Sequence, residues 1–434
     1  MSQKILIKNA LIVTMNPESE ILTGDILVED RRIIRIAKNI DEPCHEVFNA
    51  ENLAVVPGFI QTHIHLCQVL FRNMADDLRL LDWLQKKIWP FEAGHTPESL
   101  ELSARLGIAE LIKSGTTTIL DMGTVNHQDM IFRALAESGL RAFAGKAMMD
   151  YGNLPEKLKE ETAWSIDESL RLLKKWHLFD DGRLQYAFAP RFALSCSDDL
   201  LTETGRLSRE YDVLYHTHAS ENIDEVNLVR ERFGVSNIQL FEKLGVADEK
   251  LCLAHCIWTD KDERALLKEK NIKVLHCPSA NLKLASGIAP IPDYLADGIT
   301  VSLGADGAPC NNNLDIFNEM RLAALIQKPK YGPASMPAFE VFKMATINGA
   351  KTLGMQNTIG SIEEGKKADL SFIDLNQVHS VPYEDIYSKM VYSSKAEDVK
   401  HVMTDGKWLM KNRELLTLNE LEIIHSVNSY AAVL

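Results

Sequence analysis

Histidines and carboxylates hold divalent metals and move protons, and this chain sets them out in a pattern. Among its 13 histidines, His63 and His65 stand in PGFIQTHIHL, His216 and His218 in YHTHASE, His255 in LAHC and His276 in LHC, each close behind a short apolar run. Asp306 follows another such run in SLGADG. Residues two apart on a strand face the same way, so each His-x-His pair can offer two imidazoles to one cation. Three imidazoles and a carboxylate oxygen, with one position left open, suit zinc or another divalent first-row metal. Such a cation lowers the pKa of water from about 15.7 to about 7 and so supplies a nucleophile near neutral pH. Asp306 can serve as ligand and also accept the water's proton. Glu221, just beyond His218, is placed to donate a proton to a substrate ring. His255 is a candidate to position the nucleophile or to stabilise developing charge. The remaining histidines, among them His45, His95, His127 and His401, fall in helical or loop stretches without such company and read as surface or satisfied core residues.

These side chains lie far apart in the chain, so a scaffold must bring strand ends together. Between about residues 57 and 355, short apolar strands alternate with amphipathic helical patterns. The predicted strands are Ala54–Ile60, Thr117–Asp121, Arg141–Met148, Leu184–Ala189, Val213–His218, Leu251–His255, Lys273–His276 and Thr300–Asp306. Segments such as PESLELSARLGIAELIKSG, closed by Gly115, and SIDESLRLLKKW carry the helical period between them. Eight such units predict an α/β fold, a distorted (β/α)8 barrel, whose chemistry belongs at the C-terminal ends of its strands. No GxGxxG follows any strand, which argues against a doubly wound dinucleotide-binding sheet.

The two ends of the chain read as short strands and turns. KILIKNALIVT and ILVEDRRIIRIA, with a turn at Glu29-Asp30, form a meander pattern. GSIEEGKKADLSFIDL and a hairpin turning at Asp405-Gly406 in KHVMTDGKWLMKN match it at the other end. Residues 1–56 and 358–434 are therefore expected to form one small β-sandwich domain beside a catalytic barrel of residues 57–357.

With 47 Lys and Arg against 61 Asp and Glu, the 434-residue chain carries a formal charge of −14. That excludes the basic footprint of a nucleic-acid binder and leaves a small nucleoside open. Nothing approaches the ~20 apolar residues that span a bilayer, and the first residues alternate apolar and polar without a signal-peptide pattern. Seven scattered cysteines, none in CxxC, point to a reducing cytoplasmic setting.

PGFIQTHIH, HTHASE, LAHC, HCPSANLKLASGIAP, SLGADGAPCNNN and GSIEEGKKADL together resemble the amidohydrolase superfamily along essentially the whole chain. The resemblance implies His63, His65, His218 and Asp306 as metal ligands and Glu221 with His255 as the proton-handling pair. His216 shares the inward face but precedes the ligand histidine by two. The fourth strand, QYAFAPRF, offers no lysine for a bridging carbamate, so a single ion is expected: zinc, with Fe2+ or Mn2+ as alternatives.

Within the superfamily, FRNMADDLRLLDWLQKKIWPFEAGHTPESL is similar to the 5-methylthioadenosine/S-adenosylhomocysteine and 5′-deoxyadenosine deaminases. That likeness implies a ribose contact for Glu92 and a covering role for Trp83. It also implies an adenosine-type nucleoside as substrate and a dimer or tetramer as the assembly. Two positions depart from it. Arg191 stands where many adenosine-type enzymes have His, and Lys146 replaces an Arg used near the distal end of the substrate. Gln68 with Arg191 instead resembles guanine deaminase, where the corresponding pair contacts the purine. Guanine or 8-oxoguanine deamination and aminotriazine or chlorotriazine hydrolysis are the alternative reactions.

Overall fold

A computed structural model describes residues 2–431, which two nine-stranded sheets organise. Eight strands of one sheet run parallel in chain order: Phe59–Ile64, Thr116–Met122, Arg141–Gly145, Leu184–Pro190, Leu214–Ala219, Leu251–His255, Lys273–His276 and Val301–Leu303. The short strand Ala147–Met148 extends the pairing of the fourth. First and last meet: Ile64 bridges Asp306 in parallel, the Asp306 N–H donates to the His63 carbonyl at 2.9 Å, and Thr62 Oγ1 lies 2.8 Å from Ser302 Oγ. This is the distorted (β/α)8 barrel expected from the alternation. One apolar cluster joins Ile60, Leu120, Phe143, Ala187, Leu214, Cys252 and Leu275. They come from seven different strands, so they form a packed interior layer rather than the lining of a pore.

Helices cover the outside as their periodicity requires. Pro97–Lys113 starts at Thr96, whose Oγ1 accepts the Ser99 N–H at 3.2 Å while Ser99 Oγ accepts the Thr96 N–H at 2.9 Å, a reciprocal cap. Leu100, Ala104, Ile108, Leu111 and Ile112 make its buried stripe.

The first predicted strand, Ala54–Ile60, splits in two. Leu53–Pro57 pairs antiparallel with Leu370–Asp374 in the other sheet, and the barrel strand begins at Phe59. Gly58 is the switch. A Cβ there would stand 2.1 Å from Thr117 Oγ1, so only glycine lets the chain step between sheets this close to the second barrel strand. His63 consequently lies inside a strand rather than after one.

The second sheet is mixed. Lys4–Val13, Ile21–Glu29, Arg32–Ala37, Glu46–Asn49 and Leu53–Pro57 join Leu370–Asp374, Val399–Thr404, Lys407–Lys411 and Glu414–Leu415. The seam between Leu53–Pro57 and Leu370–Asp374 unites the two ends of the chain. The expected hairpin pairs Thr404 with Lys407, and Asp405 (φ 49°) and Gly406 (φ 70°) adopt the left-handed backbone that a two-residue hairpin turn needs. Among the described residues no helix is long and apolar enough to cross a membrane, and all seven cysteines are free.

Candidate active site

His63, His65, His255, Glu221 and Asp306, all buried, converge with the half-buried His218 at the C-terminal end of the barrel. Hydrogen bonds set the tautomers of two of them. His65 Nδ1 lies 2.8 Å from the Met122 carbonyl oxygen, and His218 Nδ1 lies 2.7 Å from that of Arg191. A carbonyl only accepts, so each Nδ1 carries the proton and each Nε2 is a bare lone pair. Those two Nε2 atoms face one another 3.3 Å apart. Asp306 Oδ1 sits 3.4 Å from the Nε2 atoms of both His63 and His65. Electron-rich atoms gathered this closely repel one another, and a cation among them converts the repulsion into coordination. His63 Nε2 is buried with no other partner. The ligand atoms of His63, His65 and His218 lie within 4.8 Å of one another, as do those of His63, His255 and Asp306. The donor set therefore fits a divalent metal. Burial, reinforced by His63, pulls His65 down to about 3, and burial takes His218 well below its usual value. Neutral imidazoles are the form that binds metal.

Backbone strain marks the same strand ends. Ser220 (φ 53°), His255 (φ 74°) and Asp306 (φ 65°) all adopt the left-handed region, at a cost of about 1–3 kcal/mol each. The strain turns each chain out of its strand at the mouth while the site side chains stay directed inward.

Carboxyl groups in the site are driven apart in acidity. Burial, then the charges of Asp306 and Glu225, raises Glu221 well above the carboxylate range. Burial works against ionisation of Asp306 too, but His63, His255 and His65 outweigh it and hold Asp306 well below its usual value. A protonated and an ionised carboxyl side by side supply an acid and a base at one pH. His255 Nε2 faces both, 3.5 Å from Glu221 Oε2 and 3.8 Å from Asp306 Oδ2, and its Nδ1 lies 2.7 Å from Asn281 Oδ1. Burial lowers His255 to about 4. His216 Nε2 is 2.8 Å from His63 Nδ1, the ring nitrogen facing away from the cluster, so His216 braces His63 from behind.

Gln68, Trp83, Arg191, Phe192 and Glu221 line a cavity against this cluster, together with the apolar Leu80, Leu84 and Leu284. The cavity is narrow, with about 20 Å3 free beside these side chains. Glu92 is not among the lining residues. Arg191 Nη1 and Nη2 donate to its Oε2 and Oε1 at 2.5 and 3.1 Å, and Gln68 Nε2 donates to Oε1 at 2.9 Å. The carboxylate expected at the ribose thus faces protein donors. Lys146 is turned inward as well, paired with Glu160 and donating to the Ala147 carbonyl.

Three contributors escaped the sequence reading. Glu225 accepts the Glu221 N–H at 2.8 Å and closes a reciprocal cap with Asn222 at the start of the helix Ile223–Phe233. NIDE carries that capping signal in sequence, but not its link to Glu221. Asn281, beside His255, and Gly307, whose N–H donates to Asp306 Oδ1 at 2.7 Å, left no local signal.

A model of the amidohydrolase family matches residues 54–409. The 5-methylthioadenosine/S-adenosylhomocysteine deaminase of Thermococcus onnurineus is 40% identical over 412 residues, covering 95% of each chain. The 5′-deoxyadenosine deaminase of Methanobrevibacter smithii is 40% identical over 423 residues, 96% of this chain and 95% of its own. Among solved structures, an adenosine deaminase from Xanthomonas campestris with bound zinc superposes with a TM-score of 0.94 at 27% identity, covering 99% of this chain and 98% of that one. This chain belongs to the amidohydrolase family.

Proposed function

We propose that this enzyme hydrolytically deaminates an adenosine-type nucleoside, such as 5′-deoxyadenosine, 5-methylthioadenosine or S-adenosylhomocysteine, to the inosine analogue and ammonia. The observation that carries the reading is the cradle of converging imidazole lone pairs beside the carboxyls of Asp306 and Glu221. The names of the two relatives supply the substrate class.

His63, His65, His218 and Asp306 would hold one divalent ion, zinc first, with Fe2+ or Mn2+ as alternatives. Bound there, the metal supplies the Lewis acidity that brings water's pKa near 7. Asp306 accepts a proton from the attacking water, and Glu221 protonates the ring nitrogen beside the amine-bearing carbon, so no uncompensated charge builds on the ring. Asp306 then returns its proton to the departing amine, which leaves as ammonia. The hydroxyl proton released as the carbonyl forms restores Glu221. His255 steadies the charge between the two carboxyls. Arg191, Gln68 and Trp83 would contact the substrate. Seven free thiols accord with a cytoplasmic setting, and a homodimer or tetramer belongs to the same proposal, to be read by sedimentation.

Ammonia release on metal-replete enzyme tests the reading, with a panel of 5′-deoxyadenosine, methylthioadenosine, S-adenosylhomocysteine, guanine and melamine. Turnover of the adenosine-type members is expected. Turnover of guanine or melamine alone overturns it.

A further inference from the structure

Glu92 is 3% exposed, and both of its carboxylate oxygens are engaged by Arg191, one of them by Gln68 as well. This bond fixes the orientation of the Gln68 amide, because a carboxylate accepts and only the NH2 end can face it. The carbonyl end, Oε1, is then the free end. It is fully buried without a hydrogen-bond partner, on a residue that lines the cavity. It also lies over Gly307: a Cβ there would stand 2.1 Å from Gln68 Oε1. Gly307 has φ −81°, which any residue adopts, so space and not backbone conformation requires glycine here. Arg191 owes its orientation to the same carboxylate.

We propose that Glu92 is a positioning residue. It clamps Arg191 and Gln68 so that the cavity is lined by a guanidinium and, over Gly307, by the unpartnered carbonyl end of Gln68, which selects substrates bringing a hydrogen-bond donor to that point. The reaction served is the deamination proposed above, and the inference rests on that reading for its kinetic test. Glu92 then acts on the base through its two neighbours rather than on the ribose.

The experiment compares each nucleoside with its 2′,3′-dideoxy counterpart in the wild type, Glu92→Gln and Gly307→Ala. If Glu92 positions the pair, Glu92→Gln raises KM about tenfold, the size of one charge-assisted hydrogen bond. The rise is equal for ribo and dideoxy substrates, with kcat nearly kept. Gly307→Ala, which displaces the Gln68 amide while leaving the ion pair intact, gives the same equal rise. A rise confined to the ribonucleoside would place Glu92 on the hydroxyls and overturn the inference. So would a fall in kcat with KM unchanged, the mark of a merely structural loss. If the wild type turns over neither nucleoside, the proposed activity has failed, and the clamp is read from melting temperatures alone. Glu92→Gln and Arg191→Met should each lower Tm, and the double variant should recover most of the loss, whereas additive losses overturn the clamp.

Discussion

The two ends of the barrel treat buried polar groups in opposite ways. On the underside, Arg141 opens the third barrel strand. It donates to Asp369 at 2.7 and 3.0 Å and to Asp405 at 2.6 Å, and Arg31 adds a bond to Asp405 at 3.1 Å. The Asp405 N–H closes on Asp369 at 2.8 Å. This knot ties the mixed sheet to the barrel. At the mouth, His63 Nε2, His255 Nε2 and Gln68 Oε1 are just as buried but unpartnered, and two imidazole lone pairs confront each other. Desolvation penalises a polar atom at either end. The underside meets most of that penalty with its own side chains, although Arg141 Nη1 is left without a partner, and the mouth gathers several unpartnered atoms in one place. What sets the mouth apart is a cluster of unpartnered atoms facing one another, not a single one.

The contrast can be broken most forcefully at Asp306. Asp306→Asn should reduce deamination by at least about a hundredfold while the chain still folds and unfolds cooperatively, since a mouth residue serves the reaction more than the fold. Near wild-type turnover would remove Asp306 from the mechanism. Stripping the ion with a chelator should have the same kinetic effect, reversed by readdition, and should lower Tm because bound metal stabilises the folded state by mass action.

Arg141→Met is the mirror experiment. It leaves Asp369 buried without its cation and Asp405 with only Arg31 and Lys367 beside it, at a cost of about 3–5 kcal/mol, seen in denaturant titration, while activity per folded molecule stays as in the wild type. A smaller effect belongs to His216, which touches only the outer nitrogen of His63. His216→Phe should weaken metal affinity about 10- to 100-fold in a chelator-competition titration.

The smallest effect is a pH trend at Asp121. Burial lifts its carboxyl to about 7, and its Oδ2 has no partner, although Oδ1 accepts the Leu66 N–H at 2.8 Å. A carboxyl whose pKa is raised on folding contributes stability below its unfolded value and loses it as pH climbs through the folded one. Melting temperatures should therefore show wild type losing ground to Asp121→Asn between about pH 4 and 7. A difference that does not change with pH would show that the site does not titrate.

Much of the fold was legible because its signals are local. Strand length, helical period and the Asp405-Gly406 turn each depend on a few neighbouring residues, and the barrel and the mixed sheet follow from them. Where two signals overlapped, the reading slipped. Ala54–Ile60 looks like one apolar strand, and only the crowding of Gly58 against Thr117 shows that it serves two sheets. In the candidate site the donor residues were legible, but their partners were not. Asn281 and Glu225 act through contacts that no spacing announces.

From the sequence alone came the inventory: imidazoles and carboxylates at the ends of predicted strands, in numbers suited to one cation. Residue type and short-range period are properties of the chain itself. Tertiary structure decided which atoms meet. It set His216 behind His63, aimed the lone pairs of His65 and His218 at one another, and brought Arg191 onto Glu92 across 99 residues of chain. Contacts at that separation depend on how the strands close into a ring, and ring closure is a collective outcome of packing that no single segment encodes.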